Sequence, residues 1–154
     1  MPESLRSRLY RFRFNIFPGF RGTGGRVTYL SSDYLEIHVK LPLNWRTRNL
    51  VGTIFGGSIY GSIDPFYMVM FMNALGSDYI VWDKSARIQF KRPGRSMLTA
   101  KFIIAPAELR ELKAELNAKG KVERNYVVEL IDQEGQVCAV VDKHLYFRKK
   151  NFNN

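Results

Sequence analysis

Residues 66–75, with the sequence Phe-Tyr-Met-Val-Met-Phe-Met-Asn-Ala-Leu, carry apolar side chains at nearly every position. A helix that is apolar on all of its faces has to be buried on most of them. Gly76 follows directly and is typical of a helix C-terminal cap. The segment is too short to span a bilayer. It therefore predicts a central helix that the rest of the fold encloses.

The segments around this helix show the alternating pattern of half-buried β-strands. The predicted strands are residues 35–41, 80–90, 98–104, 122–131 and 136–148. The first could also be the second half of a hairpin that turns near residues 31–33. In the second, one face is predicted to hold Ile80, Trp82, Ala86, Ile88 and Phe90. Because short turns join strands antiparallel, the predicted fold class is α+β, with an antiparallel sheet wrapped around the central helix.

Two further helices are predicted outside this sheet. Residues 3–17 form an amphipathic helix with Leu5, Leu9, Phe12 and Ile16 on one face, and Pro18-Gly19 ends it. Residues 106–119 form a surface helix, which begins at Pro106 and ends before Gly120. We expect residues 1–25 to be a basic helix and loop, and residues 26–150 to be a single domain.

The charge of the chain narrows the classes of partner. Lysine and arginine outnumber aspartate and glutamate by 24 to 14, a net charge of +10. Such a surface attracts nucleic acid, anionic lipid or a phosphate-rich ligand. The sequence carries no nucleic-acid motif, so we expect no nucleic-acid partner. The single cysteine, Cys138, allows no intramolecular disulfide, which fits a cytoplasmic protein. One cysteine and two distant histidines cannot supply the usual ligands of a zinc site, so we expect no such site.

A candidate site precedes the central helix. Gly56 and Gly57 would leave backbone N–H groups free at a helix N-terminus, where they can bind an anion or a developing oxyanion. If the helix starts at Gly57, Asp64 lies two turns further on along the same face. A carboxylate on an apolar helix is costly unless it is paired or used. Asp64-Pro65 is also typical of a new helix start with no chemistry implied, and the residue types alone favour that interpretation.

This region resembles the hotdog-fold acyl-CoA thioesterases of the phenylacetate-pathway type. The similar residues are the run Asn49-Leu50-Val51-Gly52-Thr53-Ile54-Phe55-Gly56-Gly57, then Asp64, and later the run 86–94. Within this family, the residues Gly-Thr-Ile-Phe-Gly-Gly and the later Asp-Pro-Phe-Tyr resemble a branch called tetrameric acyl-CoA thioesterase or a domain of unknown function. The likeness extends over residues 26–148. It implies the hotdog fold and an acyl-CoA substrate, with no metal and no cofactor apart from the coenzyme A that is part of the substrate. It also implies a homodimer or dimer of dimers without integral membrane contact.

The resemblance also implies roles for single residues. Asp64 would act as general base or nucleophile, the Gly56 N–H would hold the thioester oxygen, and Asn49 would place the water or carbonyl across a dimer interface. The family's histidine before Gly-Gly is Phe55 here. The residues expected at the substrate are Thr53, Phe55, Gly57 and Ser85, with Arg92 and Arg95 at the coenzyme A phosphates.

Three functions remain open from the sequence. The first is thioester hydrolysis assisted by Asp64. The second is a non-catalytic module of the same fold that binds acyl-CoA, with Phe55 marking lost chemistry. The third, ranked last, is nucleic-acid binding through the net charge of +10.

Overall fold

The computed structural model describes residues 1–151. The helices are α1 (Leu5–Ile16), α2 (Pro18–Gly22), α3 (Gly56–Gly61), α4 (Phe66–Leu75) and α5 (Pro106–Lys119). The strands are β1 (Arg26–Leu30), β2 (Glu36–Leu41), β3 (Tyr79–Phe90), β4 (Leu98–Ile103), β5 (Lys121–Ile131) and β6 (Val137–Lys149).

All six strands form one antiparallel sheet in the order β1-β2-β4-β5-β6-β3. Strands β1 and β2 make the hairpin that the sequence left as an alternative. The sheet packs on α4, whose Met70 and Phe71 have no exposed surface. Phe71 contacts Phe147 of β6 edge to face, with ring centroids 5.0 Å apart. The predicted α+β architecture, with the sheet wrapped around a buried helix, is confirmed.

The central helix is built in two pieces. It begins at Gly56, and the Asp64 N–H still donates to the Tyr60 carbonyl at 3.0 Å. Pro65 has no N–H to give to the preceding turn, so α3 ends and α4 restarts at Phe66. Two helix starts are therefore present, but Pro65 and not Asp64 is the N-cap of α4, and Asp64 lies at the junction between the two helices without capping either.

Strand β3 corrects the predicted alternation. A bulge between Asp83 and Ser85 inserts one residue, so the two halves of the strand have opposite parity. Val81 pairs with Phe147 of β6 and faces the core, whereas Trp82 is exposed. The prediction that Ile80 and Trp82 share the face of Ile88 and Phe90 is wrong.

The N-terminal helix packs on the sheet through a face that the sequence did not single out. Phe14 contacts Phe20 and Phe66, with ring centroids 4.9 and 5.3 Å away. The Asn15 side chain makes two hydrogen bonds to the backbone of Val27 in β1. Its Oδ1 accepts from the Val27 N–H at 2.8 Å, and its Nδ2 donates to the Val27 carbonyl at 2.9 Å. The helix ends at Ile16, and Pro18 starts the short helix α2. Within residues 1–151, none of the helices has the length and apolar content needed to cross a membrane.

Candidate active site

The loop before the central helix is closed by the side chain of Asn49. Its Oδ1 accepts hydrogen bonds from the N–H groups of Val51 and Thr53, at 3.1 and 3.0 Å. Its Nδ2 donates to Thr53 Oγ1 at 2.9 Å. Gly52, with φ of +86°, makes the tight turn that this closure needs. Asn49 and Thr53 thus fix the path of the chain toward Gly56.

The start of the helix is shaped by Phe55. This residue is the N-cap, is extended at φ −63° and ψ 131°, and its side chain makes no capping hydrogen bond within the described chain. A Cβ atom at Gly57 would lie 2.4 Å from the Phe55 ring, so only glycine lets the ring fold over the first turn. First-turn N–H groups have no partner inside a helix, so those of Gly56 and Gly57 depend on solvent or a ligand.

A cleft of about 410 Å³ opens beside this helix start. Its walls come from the 49–59 segment and from the end of β3 with the turn that follows. The two walls are joined where the Ile54 N–H donates to the Gly94 carbonyl at 2.9 Å. The residues lining the cleft are Asn49, Thr53, Ile54, Gly56, Ile59, Phe90, Lys91, Arg92, Pro93 and Gly94. The structure thus brings four of the predicted site residues together: Asn49, Thr53, Gly56 and Arg92.

The other predicted residues lie outside this cleft. Phe55 lines a shallow depression beside Leu50 and Val51. Arg95 lines a separate depression together with Asp132 and Glu134, and Arg92 also lines this second depression.

Ser85 is exposed, and it pairs across the sheet with His144 rather than with a residue of the inner face. The bulge that precedes Ser85 explains its outward direction.

Asp64 is held by a lysine that the sequence analysis missed. Lys143 of β6 is only 1% exposed, and its Nζ lies 2.8 Å from Asp64 Oδ1 and 2.7 Å from the Asp64 carbonyl oxygen. The same ammonium lies 3.1 Å from Asp83 Oδ2 on β3. The Asp64 side chain is 46% exposed, so it joins this buried charge to the surface.

The electrostatics of the three residues are unequal. Burial opposes the charge of Lys143, but the carboxylates of Asp64 and Asp83 outweigh it and raise its pKa. Burial raises the pKa of Asp83, and the Lys143 ammonium only partly offsets this. Asp83 Oδ1 is also buried without a hydrogen-bond partner among the described residues. Burial and the neighbouring Asp64 carboxylate raise the pKa of Tyr60, whose ring lies 5.5 Å from Lys143 Nζ.

The sequence does contain a signal for Lys143. In β6 the odd-numbered positions Val141, Leu145 and Phe147 are buried, and Lys143 stands in that series. A lysine at a core position of a strand needs an anionic partner. Looking for that partner would have led to a carboxylate on the central helix.

Among curated proteins, none matches the sequence of this chain. Its structure is similar to PA5026 of Pseudomonas aeruginosa, described as a protein of unknown function and probable thioesterase, with a TM-score of 0.84 and 19% identity over 97% of this chain and 98% of that one. Thioesterase HI1161 of Haemophilus influenzae gives a TM-score of 0.69 and 13% identity, over 99% of this chain and 96% of that one.

The PaaI protein of the Escherichia coli phenylacetic acid degradation operon gives a TM-score of 0.62 at 14% identity, over 94% of this chain and 91% of that one. These likenesses confirm the hotdog fold. The sequence model of the family described as "Domain of unknown function (DUF4442)" matches residues 6–147. Because that match covers nearly the whole chain, the protein belongs to the DUF4442 family and carries the hotdog fold of the thioesterases it resembles.

Proposed function

We propose that the protein hydrolyses acyl-CoA thioesters in the cytoplasm. The observation that carries the proposal is the cleft at the start of the central helix, where Asn49, Gly56 and Arg92 come together. It supplies a backbone donor for a carbonyl oxygen, a fixed loop and a cation for a phosphate. The hotdog proteins of similar structure that are named thioesterases support the same reaction class.

In the proposed reaction, water attacks the thioester carbonyl and Asp64 takes the proton. The Gly56 N–H donates to the oxygen as it becomes negative, which lowers the barrier because the donor is already in position. The C–S bond of the tetrahedral intermediate then breaks, and Asp64 returns the proton to the sulfur, so coenzyme A leaves as the thiol and the acyl group as the carboxylic acid. Arg92 would pair with the phosphates of coenzyme A.

The spacing of these residues favours a site built from two copies of the chain. Gly56 and Asp64 are eight residues apart, or about 12 Å at 1.5 Å per helical residue. A single thioester carbonyl cannot contact both groups across that distance. Asp64 is also absent from the lining of the cleft that contains Gly56. We therefore propose that Asp64 of one copy faces the Gly56 amide of another.

The free edge of β3 supports self-association. β3 is the last strand of the sheet, is 12 residues long, and pairs only with β6 among the described strands. Its Trp82 and Phe90 side chains are more than half exposed. A long exposed edge strand is a template for pairing with another chain. We propose a homodimer, or a dimer of dimers, built on this edge.

The test is thiol release from short, medium, long and aromatic acyl-CoA esters. Asp64→Asn should lose most of the turnover while its unfolding curve stays close to that of the unchanged protein. Asp142→Asn is the matched control, because Asp142 lies next to Lys143 in β6 but on the opposite face of the sheet. Turnover that survives Asp64→Asn, or that falls equally in both variants, would exclude Asp64 as the base.

A second candidate function is acyl-CoA binding without turnover. The ion pair between Asp64 and Lys143 favours it, because the Lys143 ammonium already occupies one oxygen of the Asp64 carboxylate. Phe55 at the position of the family's histidine points the same way. This alternative predicts saturable binding of an acyl-CoA by calorimetry, with no thiol release from any ester.

A further inference from the structure

The first helix exposes an apolar face that nothing in the described chain covers. Its residues are Leu5, Leu9, Phe12 and Ile16, which are 84%, 59%, 60% and 50% exposed. At about 100° per residue these four lie within a sector of about 60°. The opposite face of α1 is packed against the rest of the fold, where Tyr10 contacts Tyr34 and Phe14 contacts Phe66 of α4. At the flank of the helix, the Asn15 side chain is hydrogen-bonded to the backbone of β1. The exposed stripe is therefore held outward on a fixed helix.

Arginines flank this stripe on both sides. Arg8 lies on one side and Arg6 and Arg13 on the other, and all three are exposed. The helix contains no acidic residue between Leu5 and Ile16. A helix with apolar residues on one face and cations along its borders fits the boundary of an anionic bilayer, where the apolar face enters the acyl region and the cations meet the headgroups.

We propose that α1 docks the protein on membrane surfaces that contain anionic lipid, with the helix lying in the plane of the interface. The helix is about 18 Å long at 1.5 Å per residue, which suits a position on the surface of a bilayer and not across it. The long arginine side chains can reach back to the headgroups while the stripe is buried.

The charges argue against a second copy as the occupant. A two-fold interface sets the same patch against itself, so the arginines of one helix would face those of the other. The face is also remote from the proposed self-association edge, because α1 packs on β1 and β3 lies at the other edge of the sheet. Measured along the sheet, five strand spacings, or about 24 Å, separate these edges. A polyanion such as nucleic acid would match the arginines but would leave the apolar stripe exposed.

The test is sedimentation of the full chain with vesicles. One set is about one-third phosphatidylglycerol in phosphatidylcholine, and the other is phosphatidylcholine alone. We expect binding to the anionic set only, and weaker binding as NaCl rises from roughly 0.1 to 0.5 M. The triple variant Leu9→Ser, Phe12→Ser and Ile16→Ser should lower the partition coefficient at least ten-fold.

Matched controls use residues of the same kind elsewhere on the surface. Ile103→Ser with Val127→Ser replaces two exposed apolar side chains of the sheet and should leave vesicle binding unchanged. For the charges, Arg8→Gln with Arg13→Gln should lower binding about 30-fold, at about 1 kcal/mol per cation. Arg110→Gln with Lys119→Gln removes two exposed cations of α5 and should have little effect.

Several outcomes would overturn the proposal. These are an absence of binding to anionic vesicles, equal binding to neutral vesicles, and equal losses in the test and control variants. Light scattering supplies another. If the serine variant lowers the mass of the assembly, a second copy covers the face. None of these measurements depends on thioester hydrolysis, so their failure is distinguishable from failure of the proposed activity.

Discussion

The buried ammonium of Lys143 makes the sharpest prediction about the stability of this fold. Lys143→Met keeps the length and apolar stem of the side chain but removes the charge, so the change leaves little cavity. Asp83 would then keep a buried carboxylate with no counter-charge, because its Oδ1 already lacks a partner within the described chain. Removing one member of a buried ion pair costs about 3–5 kcal/mol of the free energy of unfolding. We expect a loss in that range at neutral pH, measured by urea denaturation with far-UV circular dichroism.

The surface pair Lys84–Glu123 gives the matched control. Its N–O distance is 2.7 Å, as short as the contact of Lys143, but its side chains are 47% and 40% exposed. Exposed pairs of this kind contribute about 0–1 kcal/mol. Lys84→Met should therefore change the free energy of unfolding by less than about 1 kcal/mol. Similar losses in the two methionine variants would refute the claim that burial makes Lys143 costly to remove.

The cost of Lys143→Met should also depend on pH. Burial already raises the pKa of Asp83, and loss of the ammonium would raise it further. A carboxyl whose folded-state pKa is raised contributes most below its unfolded-state pKa, and that contribution is lost as the pH rises through the folded-state value. The deficit should therefore be small near pH 4 and complete at neutral pH. In the double variant with Asp83→Asn this pH dependence should disappear and part of the lost stability should return. A deficit independent of pH would show that the uncompensated charge of Asp83 is not its cause.

Two further predictions concern the core. The Tyr67 hydroxyl donates to the Val127 carbonyl at 3.1 Å, and burial raises the pKa of Tyr67 to about 12. Tyr67→Phe should cost about 1 kcal/mol at pH 8. Because the unfolded tyrosine ionises first, the unchanged protein should lose about 2 kcal/mol relative to the variant between pH 10 and 12, and parallel curves would contradict this. A Cβ at Gly25 would lie 2.7 Å from the buried Ser62 Cβ, so Gly25→Ala should cost about 1–3 kcal/mol in urea denaturation. Gly22→Ala, with open space around it, should cost nothing, and equal effects would rule out the steric explanation.

The central helix and most strands could be predicted because the pattern of apolar and polar side chains in each is compatible with only one structure. Residues 66–75 are apolar all round, and β4 alternates between buried and exposed positions along its whole length. The bulge in β3 could not be predicted this way. A bulge adds one residue without changing the kinds of residue that the strand contains, but it turns every later side chain to the other face of the sheet. That single residue accounts for the wrong placement of Trp82, and it turns Ser85 outward.

The orientation of α1 was hidden for a different reason. The helix has two sets of apolar residues, one with Leu9 and Phe12 and the other with Tyr10 and Phe14. The helical period identifies both sets but cannot tell which one packs on the sheet. The Asn15 clamp on Val27 helps to decide the matter, and it joins residues 12 positions apart that no local pattern connects.

Variants at Asp64 and at Lys143 should have different effects on stability and on activity, although the two residues form one ion pair. Lys143 is fully enclosed, and it also donates to the Asp64 carbonyl beside the helix break that Pro65 makes. Its loss should therefore weaken the core and release the Asp64 side chain together. The Asp64 carboxylate is half exposed, so Asp64→Asn leaves a group that water can solvate and should cost far less stability. Thiol release and urea denaturation of both variants test this division. If Asp64→Asn unfolded as readily as Lys143→Met while keeping its turnover, the carboxylate would serve the core and not the reaction.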